Sequence, residues 1–347
     1  MNPRFHLLAF ALLAVGLLAA AHAAQSATPP VGLRILTVPT PARGGAIQVS
    51  LWYPAAGPGQ GALIGDSKIF QGVAVLRDAP VMDGPLRVIL LSHGGMRAAP
   101  NMGNWIAARL AAKGYLIAMA GLPDPRSLRA PDAPREIWLR PADLSAVLTA
   151  VENYAAFAGR IDASRIGVLG FFLGGTAALS LAGGALDAQS YGSSCDDGRA
   201  GPDCAWYAKA GVDLHRVDAA ALAASHRDER IGLAVLVDPE LGGSFTAASL
   251  ARLSIPVVII HLGDAAPGVE GAKLAQAIPG AHYDELADAT AFSGFAECKP
   301  KGAAILRSEG EEEALCQDRG TSSRAEIHAR LAAMIDAAFR SRSQSGL

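Results

Sequence analysis

No excess of either charge marks this chain. Charged residues make up 18% of its 347 positions, the formal net charge is -2, and lysines and arginines form no cluster. That excludes the electrostatic footprint of a protein that binds nucleic acid or an anionic membrane surface. Internal repeats and long low-complexity tracts are missing too, which argues against a solenoid or a tail-dominated protein. There is no C-x-x-C pair and no histidine at ligand spacing, so no metal site is expected, and no motif calls for a cofactor. Only four cysteines occur. What is present is an ordinary globular mix, 51% hydrophobic, long enough for one large α/β domain.

Residues 1–23 read as a targeting signal. Arg4 supplies a positive start, Leu7 to Ala20 is an apolar run, and Ala21-His22-Ala23 fits a small-x-small cleavage site. The run is short and alanine-rich for a membrane span. The expectation is a periplasmic or secreted protein whose mature chain, 24–347, keeps no stable membrane anchor. Export makes disulfides favourable. Four cysteines allow three pairings, of which the local one, Cys195 with Cys204 and Cys298 with Cys316, is simplest and closes two short loops.

Two strands, Gly32 to Val38 and Ala46 to Tyr53, flank the turn signal Pro41 to Gly45 and predict an antiparallel hairpin. Gly57 to Gly84 is rich in glycine and proline and reads as loop with at most one short strand. From Arg87 onward, apolar strands alternate with helical patterns: Arg87 to Ser92, a helix at 104–113, Tyr115 to Ala120, a helix at 141–157 with Pro141 in its first turn, and Arg165 to Leu169. The stretch at about 187–230 breaks the rhythm, holds Cys195 and Cys204, and predicts a cap-like excursion with a helix around 217–224. Alternation resumes with Leu233 to Val237, helix 247–252, strand Val257 to His261, helix 268–277, a short strand near Tyr283 and a last helix from Arg324 to Phe339. Alternation of this kind implies a mostly parallel sheet covered by helices on both faces.

The sharpest signal is an apex without its expected residue. Arg165 to Leu169 is a buried-strand pattern, Gly170-Phe171-Phe172-Leu173-Gly174-Gly175 follows, and a helix-forming run comes next. Strand, Gly-x-nucleophile-x-Gly turn and helix form the nucleophile elbow, whose apex carries Ser, Cys or Asp because covalent catalysis needs a lone pair there. Here the apex is Phe172. In such sites the acid ends a later strand, and two residues qualify: Asp238 after Leu233 to Val237, and Asp264 after Val257 to His261. The histidine belongs on a late loop, yet Glu285 to Pro300 contains none.

Several stretches carry a family resemblance across nearly the whole mature chain: Leu51-Trp-Tyr-Pro54, Leu90 to Gly95, Arg140 to Leu144, Ile161 to Gly170, Val235 to Phe245 and Phe295 to Pro300. With them the chain resembles secreted α/β-hydrolases of the dienelactone hydrolase and platelet-activating-factor acetylhydrolase-like group. The resemblance implies an α/β-hydrolase fold, a central sheet with helices on both faces plus the N-terminal hairpin, and a Ser-Asp-His site for carboxylic esters, lactones or short acyl lipids. It puts Phe172 at the nucleophile position, Asp238 at the acid position with Asp264 as runner-up, and Ala291 at the histidine position. The oxyanion donors are the N–H of Leu173 and an N–H of Gly94 or Gly95. Losing nucleophile and base together predicts a pseudo-esterase that keeps a pocket for a small apolar or ester-bearing ligand. The alternatives are a weak or non-standard hydrolase and a scaffold for another exported protein. His93 is expected to shape the oxyanion loop and His261 to be a strand-end residue. Asp238 is expected to bond backbone N–H groups, and Arg140 with Asp143 to form a surface or inter-loop salt bridge.

Overall fold

The computed structural model describes residues 29–196, 201, 203–263, 271–311 and 313–341; the expected targeting segment 1–23 and Asp264 lie outside them. The strands are β1 (Val31–Thr40), β2 (Gly45–Pro54), β3 (Gln60–Ile64), β4 (Val73–Arg77), β5 (Leu86–Ser92), β6 (Tyr115–Ala120), β7 (Ile161–Phe171), β8 (Ala234–Val237), β9 (Val257–His261) and β10 (His282–Glu285). They form one 10-stranded sheet in the order β10-β9-β8-β7-β5-β6-β2-β1-β4-β3. From β10 to β6 every pairing is parallel. The predicted hairpin β1–β2 is antiparallel and joins that block through β2 and β6.

The middle of the parallel block is buried on both faces, which is why β5 and β8 read as continuous apolar runs rather than alternating ones. Two helices, α1 (Asn104–Ala111) and α10 (Arg324–Ser341), cover one face with Trp105, Ile106, Leu110, Ile327, Leu331 and Ile335. On the other face lie α2 (Glu136–Glu152) and α3 (Leu173–Ala182), which bury Leu144, Val147, Leu148, Ala178 and Leu181. Among the described residues no helix is long and apolar enough to cross a membrane.

Three expectations need correction. The helix placed at 141–157 runs from Glu136 to Glu152, with Pro141 inside it rather than in its first turn. Buried polar anchors draw the helix upstream: Glu136 accepts from Arg43 at 2.5 and 2.8 Å, and Arg140 donates to the Gly94 and Gly95 carbonyls. The segment 57–84 holds two strands, β3 and β4, because β1 offers a free edge on which β4 pairs in parallel through Gly32 and Leu76. Among its described residues the excursion holds three short α-helices, α4 (Ala188–Gly192), α5 (Cys204–Lys209) and α6 (Ala219–Ala223), of which only the last is legible in the sequence. The helices that follow it are α7 (Ala247–Leu250), α8 (Gly271–Ala277) and α9 (Gly302–Glu309).

Both local disulfides are formed, Cys195–Cys204 with Cα atoms 5.3 Å apart and Cys298–Cys316 with 5.5 Å. The second spans 18 positions, a loop whose closure restricts the unfolded chain by about 3 kcal/mol. Replacing Cys298 and Cys316 together with alanine is therefore expected to lower the unfolding free energy in urea by about that amount. An unchanged denaturation midpoint would contradict it.

Candidate active site

The turn between β7 and α3 is built by close approach. A Cβ on Gly170 would lie 2.1 Å from the Gly174 carbonyl oxygen, and one on Gly174 would lie 2.0 Å from that of Ser92. No side chain fits at either position, so the strand can cross directly into the helix. Phe172 sits at the apex with φ +57° and ψ -122°. For a bulky residue that conformation costs about 1–3 kcal/mol and persists only where surrounding bonds over-determine it. They do so here: the Phe172 N–H donates to Val237 O at 2.9 Å, and its carbonyl accepts from Gly175, Thr176 and Glu240 at 2.8, 3.3 and 3.2 Å.

The Phe172 ring turns toward the loop 291–295. It stacks on Phe295 with ring centroids 5.1 Å apart and planes 11° apart, edge-on to His93 at 6.1 Å. Its tip lies so near Gly294 that a Cβ there would come within 3.0 Å. Ala291 opens the short helix Ala291–Gly294 and packs beside the same apolar cluster. Three ring side chains help fix this loop. His93 Nε2–H donates to Gly294 O at 2.8 Å, Trp105 Nε1–H to the same oxygen at 3.0 Å, and His328 Nε2 faces the Ser293 and Phe295 carbonyls at 3.0 Å each. His328 also stacks flat on Trp105, centroids 3.5 Å apart. Burial pushes His93 down to about 4 and His328 to about 3, so both are neutral donors at pH 7. His93 thus acts on the late loop as well as the early one. The roles of Trp105 and His328 carry no sequence signal beyond helical spacing.

Asp238 ends β8 with φ +43°. Its Oδ1 accepts from His261 Nδ1 at 2.7 Å and from Leu262 N–H at 3.2 Å. Its bonding is thus not to backbone alone, because β9 delivers His261 directly beside it. The other oxygen, Oδ2, is buried without a hydrogen-bond partner. His261 Nε2 faces Gly263 O at 3.0 Å, so both ring nitrogens face acceptors and the imidazolium is favoured, with Asp238 the main cause of its raised pKa. Arg140 and Asp143 also depart from expectation. They are buried and not paired with each other: Asp143 accepts from Arg43 at 2.6 Å, while Arg140 ties down the Gly94 and Gly95 carbonyls at 2.9 and 3.0 Å. The reason is that α2 packs its N-terminal half against that loop. The Gly94 N–H is already given to Phe171 O. Gly95 is then the remaining loop donor beside the first-turn N–H of Leu173, which has no acceptor within its helix.

On the side of the turn away from the Phe172 ring lies a cavity of about 570 Å³, within the range of small-molecule sites. Leu173, Met96 and Glu240 form its wall at the elbow, and Tyr191, Tyr207 and Leu214 of the excursion close it from above. Phe172 is not part of its lining.

The histidines set opposite pH dependences. His261 has a folded pKa above its unfolded value of about 6.5, so its contribution is full below that pH and is lost as pH rises through the folded pKa. His93 and His328 have lowered values, so their contribution is full above about pH 6.5 and is lost as pH falls toward about 4 and 3. Stability should therefore drop on acidification below about pH 6.5 in the native chain. The difference between native and His261→Gln chains should be largest at acid pH and shrink in alkali. A difference that grows with pH would contradict the assignment.

No family model and no curated protein sequence matches this chain. Among solved structures, a ferulic acid esterase from Streptomyces cinnamoneus is similar over 91% of each chain, with 19% identity and a TM-score of 0.58. A dienelactone hydrolase from Anabaena variabilis is similar over 83% of this chain and 98% of its own, with 13% identity and a TM-score of 0.43. At such identities likeness speaks to architecture. The likeness to the esterase, together with the sheet order and the elbow, establishes that this chain has the α/β-hydrolase fold.

Proposed function

We propose that this chain is an exported pseudo-esterase: a protein of ester-hydrolase ancestry that binds a small ligand in the cavity beside its elbow and does not turn it over by Ser-His-Asp chemistry. The observation that carries the reading is Phe172, a side chain without a lone pair, at the φ +57° apex where a nucleophile belongs. Its ring also occupies the space between that apex and the 291–295 loop, where a histidine would stand. The partnerless Oδ2 of Asp238 fits the same history, since an acid whose histidine has gone is left with an acceptor and no donor. Such an orphan costs about 1–3 kcal/mol in a buried site. The open cavity favours ligand binding over a purely structural scaffold. Two disulfides support a life in an oxidising compartment.

The purified chain should hydrolyse p-nitrophenyl acetate no faster than an inert protein of similar histidine content, and a fluorophosphonate should not label it. Stoichiometric labelling traced to one serine would replace this reading with an active serine hydrolase. Phe172→Ser alone and Ala291→His alone should each stay inactive. The double variant should exceed the sum of the two, because triad members act as a unit. Adding Asp238→Asn should then remove the gain. A folded but inactive double variant would refute the assignment of position 291.

A further inference from the structure

Glu240 is left unexplained by an ester-hydrolase ancestry. It follows Asp238 by two residues, and its backbone is locked: the N–H donates to Phe172 O and the carbonyl accepts from Thr176 Oγ1 at 2.5 Å. That fixes where the side chain can go. The residue is 9% exposed, lines the cavity, and makes no side-chain hydrogen bond or ion pair among the described residues. One carboxylate oxygen lies against Gly95, where a Cβ would come within 3.1 Å. Unlike Asp238 Oδ2, its oxygens are not sealed from solvent, so the carboxyl opens onto the cavity and offers an acceptor that no described residue fills and a ligand can take up.

The surroundings choose the ligand's sign. Asp203 is the other carboxylate of the cavity wall, and it is held by Arg97 at 2.8 Å. Arg140 approaches from α2; its terminal nitrogens are committed to the Gly94 and Gly95 carbonyls, while its Nε lies 3.6 Å from Glu136 and makes no hydrogen bond. Tyr191 and Tyr207 face the space as neutral phenols, their pKa values raised by burial. No lysine, arginine or histidine lines the cavity among the described residues. With these pairs set aside, one negative charge remains among the described residues when Glu240 ionises, and the rest of the wall mixes methionine, isoleucine, leucine and tyrosine side chains with four serines.

We propose that the cavity binds a small monocationic amine with an apolar body, its ammonium group paired with the Glu240 carboxylate. This rests on the ligand-binding reading above and names its chemical class. Burial pushes the free carboxyl up to about 8, against the ordinary carboxylate range, with Asp203 adding to the rise and Arg140 opposing it. The free site is therefore mostly protonated at pH 7, and an ammonium must displace that proton. Affinity should rise with pH up to about 8 and level off above it, while the amine stays charged.

Benzylamine is a suitable probe, with benzyl alcohol and benzoate as neutral and anionic counterparts of similar size. Titration calorimetry on the mature chain should show benzylamine binding at least tenfold tighter at pH 8.5 than at pH 6.5. Close to one proton should be released at pH 7, read from the dependence of the heat on buffer. Benzyl alcohol should bind weakly and without pH dependence, and benzoate should not bind. Glu240→Gln should weaken benzylamine at least tenfold and abolish the proton release. If that variant does not fold, the pH and buffer dependence of the native chain still decides. Equal binding of the alcohol, tighter binding of benzoate at low pH, or no binding of benzylamine would each overturn the amine assignment. None of these outcomes touches the esterase question, which is answered by the turnover and labelling of the native chain.

Discussion

The turn between β7 and α3 admits almost no atoms, and much of the site follows from that. Gly170, Gly174 and the end of β5 meet at distances that exclude a Cβ. Phe172 is consequently thrown into positive φ, and its peptide groups become the junction at which the ends of β8, the start of α3 and the Glu240 segment are joined. In a working hydrolase this geometry exposes a nucleophile. Here the geometry survives with a phenyl ring on it. The two facts are compatible because the turn also serves the fold, carrying a buried parallel strand into the helix that covers it.

The contacts around the apex are apolar and aromatic. Phe172 stacks on Phe295 and meets His93 edge-on, while Trp105 and His328 stack and hold the facing loop by its carbonyls. An active site keeps polar groups poised and partly unsatisfied, at a cost in stability; a site released from catalysis can fill with rings and gain from it. Polar groups remain beside the rings. Asp238 still ends β8 and still has an oxygen with no donor, although its other oxygen is engaged by His261. A residue selected only for packing would not leave a buried carboxylate oxygen empty.

How much of this is legible in the sequence depends on range. The elbow is readable because its glycines, strand and helix are contiguous, and the pattern is sterically compulsory. The central strands are readable because burial on both faces leaves unbroken apolar runs such as Ala234 to Val237. β3 and β4 are hidden in glycine-rich sequence because what makes them strands is the distant edge of β1. The start of α2 is misread because Pro141 is a strong local signal, whereas the anchoring of Glu136 and Arg140 is made by Arg43 and the Gly94–Gly95 carbonyls, far away in the chain. His261 looks like a strand end, which it is; that it faces Asp238 is a matter of β8–β9 register. Glu240 gives no signal at all, since a lone glutamate two residues after an acid position has no sequence signature.

The two sides of the elbow have therefore diverged. Toward 291–295 the space is filled by rings, and His93 and His328 are held neutral and donating. Toward the excursion the space is open and holds a carboxyl that burial keeps from ionising freely. If the chain were only a decayed enzyme, both sides would be expected to close, because empty volume and unpaired polar groups both lower stability. Only one is filled. The disulfide Cys195–Cys204 lies in the wall of the open side, where it restrains the part of the excursion that roofs the cavity. An aromatic ring at the apex on one side, and an open volume with an unpaired carboxyl on the other, is a pattern that favours the binding reading proposed above.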